Sequence, residues 1–117
     1  MVAALSAKEA GQSVVVIEAD AILSGSTALS AGLIPAAGTK VQVAAGITDD
    51  AALFANDIQA KAHQENDQDL VDLLTGNAAE TIDWLMDTYN LPFSVITNFD
   101  YPGHSQRRMH GLPTRAG

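Results

Sequence analysis

Two stretches of the 117-residue chain carry the residue types and spacing that do chemistry. The first, Ser24-Gly25-Ser26-Thr27-Ala28-Leu29-Ser30-Ala31-Gly32, combines four hydroxyl side chains, two glycines and no charge. Small side chains let backbone approach a flat ligand, and N–H groups and hydroxyls suit a pyrophosphate held by dipoles rather than by cations. A flexible Gly/Ser linker is the bland alternative, but Ala28, Leu29, Ala31, Leu33 and Ile34 make the segment too apolar for one. The second stretch is Gly103-His104-Ser105-Gln106-Arg107-Arg108-Met109-His110-Gly111. Its arginines and histidines can bind carboxylates or steady a developing anion, or can form a solvated basic loop. With no acid or cysteine inside it, the segment is a poor metal site.

The elements around these stretches follow from pattern. Residues 1–10 read as a helix rich in alanine, with Gly11 as its left-handed stop. Ser13-Val14-Val15-Val16-Ile17-Glu18 reads as a strand covered on both faces of a parallel sheet. Helix, short turn and strand make the second half of a βαβ unit, so a first strand and a G-x-G-x-x-G turn are expected just before residue 1. Glu18, at the strand's carboxyl end, can accept hydrogen bonds from two ribose hydroxyls of a dinucleotide, or can be a solvated strand end. From Thr48 the period becomes helical. Thr48-Asp49 can cap a helix over 50–63, Asn66 a second over 67–75 that Gly76 stops, and Asn77-Ala78-Ala79-Glu80 opens a third as a capping box. Asn90 and Pro92 end it. His63 reads as a surface helix residue, and Trp84 and Tyr89 as core. Phe93-Ser94-Val95-Ile96 reads as a short strand leading to the basic loop.

Composition bounds the function. Six basic against 14 acidic residues give a formal charge of −8, which argues against a nucleic-acid partner. All the acids fall within residues 1–100 and all the arginines after them. Asp49, Asp50, Asp67, Asp69 and Glu80 sit near expected helix N-termini, where the macrodipole accounts for them. The absence of cysteine excludes disulfides, thiolate metal sites and cysteine nucleophiles within the chain. No apolar run reaches the roughly 18 residues of a membrane span, and the N-terminus lacks a basic n-region, so a cytoplasmic protein is expected.

Val14 to Thr39, VVVIEADAILSGSTALSAGLIPAAGT, resembles the flavin-binding stretch of the fumarate reductase/succinate dehydrogenase flavoprotein family, which includes ketosteroid dehydrogenases and aspartate oxidases. Shared features are a strand ending in Glu, a Gly-Gly-(Ser/Asn)-(Ser/Thr) loop, and a small-residue run to Ala-Ala-Gly-Thr. Ser24 stands at the first glycine of the pair, Leu33 where many members have a glycine, and Pro35 where fumarate reductases often have Asn. Gly103, Ser105, Arg108 and His110 match the family's Gly-x-Ser-x-x-Arg followed by His.

The resemblance implies an α/β fold: a partial Rossmann-like FAD-binding domain, from the second strand onward, with a helical insertion. It divides into 1–47 (βαβ half and flavin loop), 48–92 (helices packing on it) and 93–117 (strand and basic loop returning to the flavin). FAD is the implied cofactor. Glu18 is implied to bind the adenosine ribose, Gly25, Ser26 and Thr27 to follow the pyrophosphate and ribityl chain, and Ser30, Ala31 and Gly32 to approach the isoalloxazine ring. Arg107, Arg108 and His110 are implied to face the substrate or flavin pocket, with the two arginines not separable by spacing.

The expected activity is hydride transfer between FAD and a C–C bond beside a carboxylate or carbonyl, on a small dicarboxylate or ketone substrate. Alternatives are a truncated, non-catalytic fragment or part of an NAD-dependent dehydrogenase. A downstream substrate domain and the glycine turn are expected as the missing remainder. The 117-residue chain alone is therefore expected to bind FAD weakly or not at all. Absorbance of the purified chain tests this, a tightly held yellow flavin being the contrary result.

Overall fold

A computed structural model of the chain describes residues 1–22 and 25–114. Its helices are α1 (Val2–Glu9), α2 (Ser26–Leu29), α3 (Lys40–Ala44), α4 (Ala51–Lys61) and α5 (Gln68–Tyr89). Its strands are β1 (Ile34–Pro35), β2 (Ser94–Val95) and β3 (Met109–Gly111), in the order β1-β3-β2 with both pairings antiparallel. Ile34 faces His110 and Pro35 faces Met109 on one side of β3, while Ser94 faces Gly111 and Val95 faces His110 on the other. Pro35 lacks a donor and accordingly sits on an edge strand.

The helices form where caps and apolar spacing coincide. Asp50, rather than Thr48 or Asp49, caps α4 by accepting from Leu53 N at 2.8 Å. Asp67, rather than Asn66, caps α5 by accepting from Leu70 N at 3.1 Å. The expected break at Gly76 does not occur: α5 runs through it as one helix of 22 residues. Val71, Thr75, Ile82 and Leu85 bury one continuous face, and that burial outweighs the roughly 1 kcal/mol cost of an interior glycine. Asn77 caps nothing; its side chain donates back to Leu73 O at 2.7 Å. Glu80 is consequently mid-helix rather than at an N-terminus. Asn90 ends α5 in the left-handed conformation at φ 53°. His63 is exposed in the turn after α4, also left-handed, and not on a helix face.

The core cluster is Ala36, Ile82, Leu85 and Phe93, with Leu5, Trp84 and Tyr89 packed against it. Trp84 Nε1 and Tyr89 Oη both donate to the Glu9 carboxylate, at 2.9 and 3.2 Å, which ties α1 to α5. The two aromatics thus belong to the packing, as their spacing suggests.

The Ser13–Glu18 run forms no strand. A ladder needs a neighbour, and no strand lies beside this run among the described residues. Val15 and Ile17 are left 82% and 87% exposed. The sheet that does form is antiparallel and joins β1 to two strands near the end of the chain. Thr39 to Gln42, the small-residue loop's continuation, folds into α3 through a capping box. The Cα radius of gyration, 15.4 Å, exceeds the about 13 Å of a compact chain near this length, in keeping with the uncovered segment.

Two glycines give opposite predictions. A Cβ on Gly111 would lie 2.7 Å from Leu33 Cδ2 and 3.4 Å from Ile96 Cδ1. Gly111→Ala is therefore expected to destabilise by about 1–3 kcal/mol. At Gly76 a Cβ meets nothing within 4 Å, so Gly76→Ala should stabilise by about 0.5–1 kcal/mol. Urea or thermal unfolding measures both.

Candidate functional site

The basic stretch is divided by its geometry. Arg107 points outward, half exposed, and its Nε donates to Asp100 Oδ1 at 2.9 Å. Arg108 points inward with no exposed side-chain surface. Its Nε and Nη2 donate to the two oxygens of Asp49 at 2.7 and 2.8 Å, and its Nη1 donates to Asp57. The guanidinium also lies over the Phe54 ring, 4.8 Å from the centroid. Asp49 is equally buried, and Asp57 also accepts from Ser105 N and Oγ at 2.7 Å each. Burial alone pushes the Asp57 carboxyl up, but Ser105 and Arg108 outweigh it and hold it below the ordinary carboxylate range.

This corrects two expectations. Arg107 and Arg108 are distinct, and only Arg107 borders an open cleft, of about 560 Å³, with Gly46, Ile47, Thr48 and His104. Arg108 instead joins the chain before α4, α4 itself and the strand entering β3. Asp49 was expected near a helix terminus without a cationic partner; it is half of a buried ion pair. Asp49 and Asp57 are the residues sequence reasoning missed. They lie 59 and 51 positions from Arg108, so no local pattern announces the pairing.

His110, on β3, is fully buried. Its Nδ1 lies 2.7 Å from Arg108 O, a carbonyl that can only accept, so Nδ1 carries the proton. Nε2 is then the acceptor for the Thr39 hydroxyl at 2.8 Å. Thr39 Oγ1 in turn accepts from Gln42 N at 3.2 Å, and Gln42 Nε2 donates to Asp49 Oδ2 at 3.0 Å and Arg107 O at 2.9 Å. Burial holds His110 below the usual histidine pKa, against the opposing carbonyls of Arg108 and Ile34. His104 is lowered by burial and then by Arg108, and its buried Nδ1 has no hydrogen-bond partner.

The segment expected to line a dinucleotide is on the surface. Glu18 is exposed, with Oε1 accepting from Ala19 N and Asp20 N at 2.8 and 3.1 Å. Gly25 has φ 92° with nothing within 4 Å of a Cβ position, so its backbone is approachable from outside. Ser26 opens α2, which includes Thr27. Gly32 adopts φ 61°, and its N–H donates to Ser30 Oγ at 3.1 Å. Ala31 and Leu33 border a cavity of about 250 Å³. Ser24 and Leu23, and residues 115–117, lie outside the described residues. An exposed, uncharged strip of small residues, following an exposed carboxylate, fits the ribose, pyrophosphate and flat ring of a flavin dinucleotide. Among the described residues no acid, cysteine and histidine cluster suits a metal, and no helix is long and apolar enough to cross a membrane.

Comparison with known proteins decides the family. The profile of the FAD binding domain family matches residues 1–116. The chain belongs to this family. The family's cofactor is FAD, and its members among the relatives are reductases. A probable fumarate reductase of Shewanella frigidimarina is 36% identical over 83 residues, covering 71% of this chain and 14% of the relative. A urocanate reductase of Eggerthella lenta is 32% identical over 103 residues, covering 88% and 17%. The open conformation of a flavocytochrome c3 fumarate reductase superposes with a TM-score of 0.80 at 30% identity, over 96% of this chain and 19% of that one. The chain thus spans less than a fifth of the length of these relatives. The α/β FAD-domain fold expected from sequence holds, although the Ser13–Glu18 strand does not form.

Replacing Arg108 leaves the Asp49 and Asp57 carboxylates without their cation, so Arg108→Ala is expected to cost about 3–5 kcal/mol. Arg107→Ala, at an exposed pair, should cost about 1 kcal/mol or less. Denaturant titration of the two variants separates these outcomes. Stability should also depend on pH in one direction. Unfolded histidines take up protons below about pH 6.5, while the lowered folded values keep His104 and His110 neutral. Stability is therefore full above that pH and falls as pH drops through it. A second loss follows below about pH 4, as Asp57 is protonated. Melting temperatures across this range test both steps.

Proposed function

We propose that this chain is the flavin-holding part of an FAD-dependent oxidoreductase that moves a hydride between the flavin and a C–C bond beside a carboxylate or carbonyl. The observation that carries the reading is the match to the FAD binding domain along residues 1–116, supported by the likeness to a fumarate reductase at a TM-score of 0.80. In this reading residues 1–47 hold the dinucleotide, 48–92 pack beside it and 93–117 return to it. The Glu18 carboxylate accepts from ribose hydroxyls. Gly25, Ser26 and Thr27 follow the pyrophosphate and ribityl chain, and Ser30, Ala31 and Gly32 approach the ring.

Bound flavin supplies a two-electron carrier that gives or takes the hydride. The chain's own residues bind, orient and exclude water. His110 and Arg108 belong to the wall behind the pocket: both are buried and both are engaged by this chain's own groups. They shape the site through Thr39 and the β3 backbone rather than by offering free charge. Arg107 retains an exposed guanidinium edge for an anionic group. The relatives' names include reductases of fumarate, urocanate and digoxin, so the substrate class extends from dicarboxylates to ring-bearing unsaturated compounds. A soluble protein acting on small molecules, without nucleic acid, completes the reading.

The test uses the full-length protein. Flavin absorbance bands that survive gel filtration, bleach on reduction and return on adding an unsaturated acceptor are expected. Glu18→Ala should lower flavin retention about tenfold, the loss of two hydrogen bonds to a carboxylate. A colourless protein that binds a nicotinamide dinucleotide instead would contradict the proposal.

A further inference from the structure

A buried amide links the charge cluster to the small-residue strip. Gln42, on α3, has no exposed surface, and both ends of its side chain are engaged. Its Nε2 donates to Asp49 Oδ2 at 3.0 Å and to Arg107 O at 2.9 Å. Its Oε1 accepts from two consecutive backbone groups, Gly38 N at 2.6 Å and Thr39 N at 3.3 Å. Carboxylate and carbonyl oxygens only accept here and N–H groups only donate, so the network fixes which end of the amide is which. The side chain at this position must donate on one side and accept on the other, a combination that a carboxylate or a thioether lacks.

The turn held in this way is the downstream end of the strip. Ala36 N donates to Arg108 O at 3.0 Å, and Ala36 packs in the core with Ile82. Gly38 takes the left-handed φ of 85°, and its N–H converges with that of Thr39 on one oxygen. Three backbone donors, from residues 36, 38 and 39, are thus tied to interior acceptors. Gly32 is four residues upstream of Ala36, within about 14 Å of chain. The segment Ser30–Gly32 therefore leads into a point that the interior fixes.

We propose that Gln42 is a positioning residue for the flavin ring. It sets the Ala36–Thr39 turn from the buried Arg108–Asp49 pair and, through that turn, the Ser30–Gly32 segment. It acts through the backbone and not by contact with the cofactor. The inference rests on the reading above, that this segment approaches the ring.

The charged and titratable groups around residue 42 are Asp49 directly, Arg108 beyond it and His110 beyond Thr39. Lys40, on the same helix, pairs instead with Asp83 and Asp87 of α5. Gln42→Glu keeps an acceptor for Gly38 and Thr39 but sets a second carboxyl against Asp49. Two carboxyls so close hold a shared proton to higher pH than either would alone. The protonated group donates to Asp49 as the amide does, and the ionised group repels it.

Full-length parent, Gln42→Glu, Gln42→Met and Val71→Ala are loaded with FAD and gel-filtered between about pH 6 and pH 9. Retained flavin, its visible spectrum and the melting temperature are recorded for each. Val71→Ala, a cavity on the buried face of α5, is the stability control. Gln42→Met should retain about tenfold less flavin at every pH. Gln42→Glu should match the parent at the acid end and fall towards Gln42→Met as the pH rises, while the parent and Val71→Ala hold flavin throughout. Retention by Gln42→Glu that does not change with pH, retention by Gln42→Met equal to the parent's, or equal flavin loss from Val71→Ala overturns the proposal. A parent that retains no flavin overturns instead the reading beneath it.

Discussion

The buried guanidinium of Arg108 is the constraint around which the second half of the chain is arranged. A charge removed from water must be met by opposite charge and by hydrogen bonds on nearly every donor. Asp49 meets it bidentately, Asp57 from the other side, and the Phe54 face covers it. Those three partners come from the segment before α4 and from α4 itself, so satisfying one side chain fixes how α4 lies against the entry to β3. The same Asp49 carboxylate accepts from Gln42, whose amide also reaches Arg107 O. The position of the segment that follows the small-residue strip, through Thr39, is thereby coupled to the same cluster.

His110 extends the arrangement with opposite electrostatics. Its ring is neutral because burial disfavours the charged form, and its protonated nitrogen is set by the Arg108 carbonyl. The remaining nitrogen takes the Thr39 hydroxyl. Thr39 is consequently a junction: it caps α3, orients a buried imidazole and follows the small-residue strip proposed to hold the flavin. A charged centre just before β3 and a neutral one on it, two residues apart, hold opposite ends of one scaffold.

Much of the local structure could be read from the sequence, for reasons that are themselves local. The helices α1 and α4 and the left-handed turn at Asn90 depend on nearby residues. Where a distant partner decides, the sequence is silent. Val14–Ile17 has strand chemistry, but a strand exists only as part of a ladder. Gly76 has the chemistry of a stop, yet four buried side chains along one face carry the helix through it. Thr39-Lys40-Val41-Gln42 is a legible capping signature, obscured by the small residues before it. The candidate flavin strip was recognisable by resemblance. The separate fates of Arg107 and Arg108 were not, because only the folded chain brings Asp49 and Asp57 to one of them.

The sheet order has a consequence for the sequence of events during synthesis. β3 is the central strand, and both of its partners precede it in the chain. Nothing can pair β1 or β2 until β3 has emerged, whereas α4 and α5 are neighbours that can associate as soon as both exist. Closing the loop from β1 to β3 carries a chain-entropy cost that local helix pairing avoids. The nascent chain therefore holds a helical hairpin first and waits, with its two edge strands unpaired, for the short stretch that also delivers Arg108 to its acids.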